Sequence, residues 1–208
     1  MRASAGPRAG AAGTVAGGAT GFGPELANDL LDVFAARLRG PAEARAAVLA
    51  ALAEGAPYPL ARIAAADGRA LGVPASAVRR LAALAEVVRA ALRVCAAAVR
   101  QDPLGSRPER AMRVLVADTL LTFAHELAAD LPEIGGGAVR ALLARTLGAA
   151  GPLGELAATA AADGHQRAAL EREPDRAAST FLDDALRALA AAGPATHPHD
   201  VGPWRRRT

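Results

Sequence analysis

The apolar residues of this chain are mostly alanine, and that choice restricts its secondary structure more than any motif does. Hydrophobic residues make up 52% of the sequence but aromatic residues only 3%. Alanine is the best helix former, whereas strands favour β-branched and aromatic side chains. The chain is therefore expected to be all-α. Its 208 residues suit one domain with tails, large enough to bury a core without a disulfide or a structural metal.

The spacing of apolar positions and of Gly and Pro predicts where the helices run. Residues 1–22 are Gly/Ala-rich with little to bury and are expected to be disordered. Gly23-Pro24 opens a helix with Leu30, Phe34 and Leu38 on its apolar face, ended by Gly40-Pro41. A second helix runs from about Pro41 to Glu54, Gly55 to Pro59 is a break, and a short third helix reaches Leu71. In the fourth, about Pro74 to Gln101, Leu81, Ala85, Val88, Leu92, Cys95 and Val99 form a seam, while Arg79, Glu86, Arg93 and Arg100 recur on another face. The fifth, about Pro108 to Asp130, has Val114, Ala117, Leu121, Ala124 and Leu131 as its predicted core face, widened by Leu120, Phe123 and Leu127. It is apolar around much of its circumference, which marks it as the central helix. Gly135-Gly136-Gly137 reads as a flexible joint before a sixth helix, Ala138 to Gly148. A seventh spans about Leu153 to Glu173, with Gly164 a candidate break, Pro174 starts the last, and that one ends at Gly193. The tail 194–208 carries three prolines and an arginine cluster and is expected to be disordered. The sum is one helical domain over 23–193, an antiparallel bundle of about eight helices.

All 24 basic residues are arginine, yet the net charge is only +3. Acidic residues alternate with the arginines, as on a solvated helical surface, so no nucleic-acid partner is expected. The single cysteine, Cys95, excludes an internal disulfide and is expected to be a buried, inert thiol. No apolar run reaches the roughly 18 residues of a membrane span. The stretch after Arg2 and Arg8 is too glycine-rich for a signal peptide, so a cytoplasmic location is expected.

Candidate chemistry is sparse. His125-Glu126 begins like a zinc-protease helix, but position 129 is alanine where the second histidine is needed. Asp118, Thr122 and His125 share one helix face and are candidate ligand-binding residues. Asp183 and Asp184 can present hard oxygens to Mg²⁺, although Arg187 stands where a third carboxylate would help. His197 and His199 in the tail form at most a loose metal site, and Trp204 to Arg207 could touch an acidic surface. No phosphate-binding glycine loop or nucleophile elbow is present. No catalytic residue is assigned.

Three segments carry a family resemblance. Ala111 to Ala128, with Ala117-Asp118 and Leu120-Leu121 followed by Ala124, Glu126 and Leu127, is similar to the pattern A-x-x-x-L-x-G-D-x-L-L-x-x-A-x-E-L. Leu81 to Ala91 resembles A-A-x-x-E-x-x-H-x-A-S, and Gly55 to Arg62 falls where G-G-K-R-x-R-P would stand. Together they resemble the first half of a polyprenyl synthetase, the trans-isoprenyl diphosphate synthase family. The resemblance implies a reduced isoprenoid-synthase-like bundle. The family ionises an allylic diphosphate with aspartate-held Mg²⁺. Its first aspartate-rich motif would fall near Cys95 to Arg100, where this chain has alanines and an arginine, and its basic motif is replaced by Ala56-Pro57-Tyr58. Phe181 to Asp184 is similar to the second motif, two residues short, and equally to the family's ordinary C-terminal helix of the form F-L-x-x-A-L-x-A-L. A matched frame without its metal ligands implies a catalytically inactive relative acting as a partner or regulatory subunit, as a homodimer or with a catalytic synthase. The alternatives are an unrelated helical interaction or ligand-binding module, and a surviving Mg²⁺-dependent prenyltransferase using Asp183, Asp184 and Asp118. An enzyme relic should keep an apolar pocket between the fourth and fifth helices.

Overall fold

The computed structural model describes residues 24–55, 57–100, 107–148 and 164–193. They form an antiparallel bundle of seven α-helices, with no strand among the described residues. These are α1 (Pro24–Arg37), α2 (Ala42–Ala53), α3 (Pro59–Ala70), α4 (Ala75–Arg100), α5 (Arg107–Ala129), α6 (Glu133–Gly148) and α7 (Gly164–Ala191). The terminal segments 1–22 and 194–208, and the start of the predicted seventh helix, lie outside the described residues. No described helix is long and apolar enough to cross a membrane.

The axis of the bundle is α4, which packs on α2, α3, α5 and α7. Leu81 through Leu92 are all buried, so this helix has no solvent face over roughly three turns. Ala82, Ala83, Ala85, Ala90 and Ala91 make that possible, since a methyl group on every side lets several neighbours approach at once. The central position thus belongs to α4 and not to α5 as the apolar pattern suggests. The buried stripe of α5 is Val116, Ala117, Leu120, Phe123, Ala124, Leu127 and Ala128. Val114, assigned to the core by its spacing, is 53% exposed, and Leu115 is 46% exposed. At about 100° per residue, Val114 lies some 120° from the centre of that stripe at Leu120. Periodicity cannot choose the buried side of a helix that is apolar nearly all round.

Two other boundaries differ from expectation. The three glycines of 135–137 lie inside α6, which starts at Glu133. Gly135 takes φ +82°, and a Cβ there would stand 3.1 Å from both Leu189 and Ala192 of α7 and its end, so the glycine permits close approach. Pro174 does not start a helix but sits within α7, which runs through it. Pro removes one backbone hydrogen bond from a helix interior, and the flanking turns of this long helix hold the chain helical across the gap.

Further ties close the bundle. Phe34 of α1 meets Phe123 of α5 edge to face, ring centres 5.9 Å apart. Arg37 pairs with Asp130, and Arg80 Nη1 donates to the Asp130 carbonyl at 2.7 Å, joining α1, α4 and the end of α5. Gly72, at φ +70°, ends α3 in a Schellman turn in which the Val73 N–H donates to the Gly68 carbonyl at 2.9 Å.

Candidate functional site

Two charged side chains lie buried among the described residues, Glu86 at 2% and Arg89 at 8% exposure, one turn apart in the alanine-rich middle of α4. A buried charge is costly unless it is paired and hydrogen-bonded. Both are. Glu86 Oε1 accepts from the Ala61 N–H at 3.0 Å, and Oε2 accepts from Arg89 Nη1 at 3.2 Å. Ala61 is in the first turn of α3, where backbone N–H groups have no partner within the helix. Pro59 opens that helix, and Tyr58, in the left-handed region at φ 54°, provides no side-chain cap. A carboxylate from α4 therefore does from across the core what a local N-cap would do.

Arg89 continues the network. Its Nη1 also donates to the Gly55 carbonyl at 3.2 Å, and its Nε donates to Asp175 Oδ1 at 2.9 Å. Arg93, one turn on, grips the same carboxylate with both a 2.8 Å and a 2.7 Å hydrogen bond. Asp175 follows Pro174 in α7, so α4 holds the break after α2, the start of α3 and the middle of α7 through three consecutive polar turns. Burial pushes the Glu86 carboxyl above its ordinary range, against the opposing pull of the Ala61 N–H and Arg89. Burial acts the same way on Asp175, but hydrogen bonds from Arg93 and Arg89 outweigh it and hold that carboxyl below its usual value. The Tyr58 phenol is pushed up to about 12 by burial and by the Glu86 charge, and its Oη is buried with no hydrogen-bond partner among the described residues.

A cavity of about 200 Å³ opens beside this network, between the end of α2 and α4. Glu54, Glu86, Arg89 and Arg93 supply its charges, and Ala51, Ala90, Val94 and Ala97 its apolar wall. A second cavity, about 220 Å³, lies between the end of α1 and α5, lined by Leu38, Arg39, Asp118, Thr122, Phe123 and Glu126 among others. Neither lies between α4 and α5, where an enzyme relic should have kept its pocket.

The second cavity brings together Asp118 and Thr122 of the predicted ligand face and adds Thr119 and Glu126. His125 is exposed and does not line it. Asp183 and Asp184 are half-buried neighbours on α7, about two turns along the helix from Asp175, and Arg187 Nη1 donates to Asp184 Oδ1 at 3.1 Å. No group of three or more His, Cys, Asp or Glu side chains able to hold a metal occurs among the described residues. A Mg²⁺ ion on the aspartate pair would have two carboxylates, one shared with a guanidinium, which fits a diphosphate-binding metal poorly. Cys95 is half-buried rather than buried; burial and the nearby Asp118 charge push its thiol up, so it stays protonated and unreactive near neutral pH.

The residues that sequence reasoning passed over are Tyr58, Arg89 and Asp175, and the role of Glu86. A signal existed for one pair: Glu86 and Arg89 are opposite charges three residues apart in an otherwise apolar run. Nothing local marks Asp175, which lies 82 residues from Arg93. The chain matches no family model, no curated protein and no solved structure.

Proposed function

We propose that this chain is a polyprenyl-synthetase-like helical subunit without catalysis of its own, acting by docking onto a catalytic synthase subunit. The observation that carries the reading is the exposed apolar side chains near the start of α5. Met112, Val114 and Leu115 are 37%, 53% and 46% exposed, and they begin the same segment, Ala111 to Ala128, that carries the family pattern. Large apolar side chains left exposed within a single helical turn form a candidate interaction surface. The carboxylates near α4 support the non-catalytic half of the reading. Glu86 and Asp175 are both committed to joining helices, and neither is left for Mg²⁺.

Co-expression with each trans-prenyl synthase of the source genome, followed by size exclusion and light scattering, tests this. A stable complex with one of them, lost in Val114→Glu with the helical circular dichroism unchanged, is the expected result. A chain that remains monomeric beside every synthase refutes it. A second reading, a ligand-binding helical module, has its own observation in the charged cavity beside α4.

A further inference from the structure

The cavity between α2 and α4 differs from an ordinary packing defect in what surrounds it. Two of its charged wall residues, Glu86 and Arg89, are more than nine-tenths buried and held rigid by neighbours. Arg93 is held equally firmly by two hydrogen bonds to Asp175. Those bonds use Nε and Nη2 of Arg93, and Nε and Nη1 of Arg89, so each guanidinium keeps one terminal nitrogen with no bond among the described residues. The guanidiniums are thus oriented in advance, with donors in reserve.

The balance of signs narrows the ligand. Glu54 and Glu86 stand on the same wall as Arg89 and Arg93. A simple anion entering here would meet two carboxylates, and a simple amine would meet two guanidiniums. Only a molecule carrying both charges finds an opposite partner for each, because a singly charged group here meets a like charge whichever sign it has, and like-charge juxtaposition is disfavoured. The rest of the wall is alanine, Gly55 and Val94, which favours a small aliphatic group. The space, about 200 Å³, is that of one small molecule.

We infer that the cavity is a binding site for a small zwitterion, an aliphatic α-amino acid. Its carboxylate sits on the free donors of Arg89 and Arg93, its ammonium group faces Glu54, and its side chain lies against Ala90, Val94 and Ala97. No bond is made or broken. The site is independent of the docking surface at the start of α5, so it stands or falls apart from the proposed function.

Titration calorimetry on the full chain at neutral pH tests it, with L-alanine, L-valine and L-leucine as probes. Isobutylamine and 3-methylbutanoate, which are valine without its carboxylate and valine without its amine, are the controls. At least one amino acid should bind, and each control should bind more weakly by about tenfold or more, since each leaves one sign of wall charge unmatched. Glu54→Gln, at an exposed helix end, should weaken binding by about tenfold. Ala97→Leu, which fills the cavity without altering a charge, should abolish it. The melting curves of both variants without ligand show that they fold. Silence from all three amino acids, a control that binds as tightly as valine, or undiminished binding by folded Ala97→Leu overturns the inference.

Discussion

Replacing Glu86 by leucine and by glutamine separates the two tasks of its carboxylate. Leucine is close to glutamate in size, so the cavity term is small. It leaves the Ala61 N–H, in a residue with 0% exposure, without an acceptor. An unsatisfied buried donor costs about 1–3 kcal/mol. Arg89 loses one carboxylate but keeps Asp175 at 2.9 Å and the Gly55 carbonyl at 3.2 Å. That loss is offset by no longer burying a charge on Glu86, and the two are of similar size. Leucine should therefore destabilise by about 2 kcal/mol, nearly all of it from α3. Glutamine keeps an oxygen for Ala61 but turns an amide NH2, which cannot accept, toward Arg89 Nη1, so it should cost about 1 kcal/mol, less than leucine. Urea unfolding with a common m-value would read the difference, and the two melting temperatures should stand roughly 2–8 °C apart. Equal stability of the two variants, or glutamine the worse of them, would refute the account of Glu86 as the cap of α3.

Asp175→Asn should cost about 1–2 kcal/mol at neutral pH, a modest figure because the side chain is 39% exposed and screened. Since its folded-state pKa is lowered, this stability is present above the unfolded value near about 4 and is lost as pH falls through the folded value, so wild type and variant should converge in acid. Tyr58 is the sole tyrosine, so tyrosinate absorbance reports it alone: the native protein should ionise near about 12, and a transition near about 10 would show the phenol to be solvated. Gly68→Ala places a Cβ 2.5 Å from Val78 Cγ2 and should destabilise by about 1–3 kcal/mol, with Val78→Ala restoring most of it; a variant more stable than wild type would contradict the contact.

The helical class and most of the helix limits were legible in the sequence because they depend on local properties. Alanine content, the Gly40-Pro41 and Gly55 to Pro59 breaks, and the four-three spacing in α4 all act within one or two turns. Two limits were misjudged for the same reason: a proline and a glycine triplet usually interrupt helices, and here packing against neighbours carries α7 and α6 through them. The choice of α4 over α5 as axis was hidden, since both are apolar on several sides and only the tertiary arrangement decides which is surrounded. The candidate site was less legible still. Asp118 and Thr122 line a cavity, whereas His125 of the same predicted face does not. The buried network depends on Asp175 reaching Arg89 and Arg93 across more than 80 residues, and no periodicity encodes that.

The alanine-built middle of α4 reverses the usual vulnerability of a protein interior. Cores of leucine and phenylalanine fail when a side chain is shortened and a hole is left. Between Leu81 and Leu92 there is little to shorten, for five of the twelve positions are already alanine. Damage here comes from growth. A single added methyl group at Ala82, Ala85 or Ala91, each 0% exposed, must push apart helices packed at near-contact distance. Random substitution at an alanine codon mostly yields a larger or a charged residue. The central helix should therefore tolerate almost no variation, while the flanks of the bundle, with their larger side chains and open faces, accept it freely.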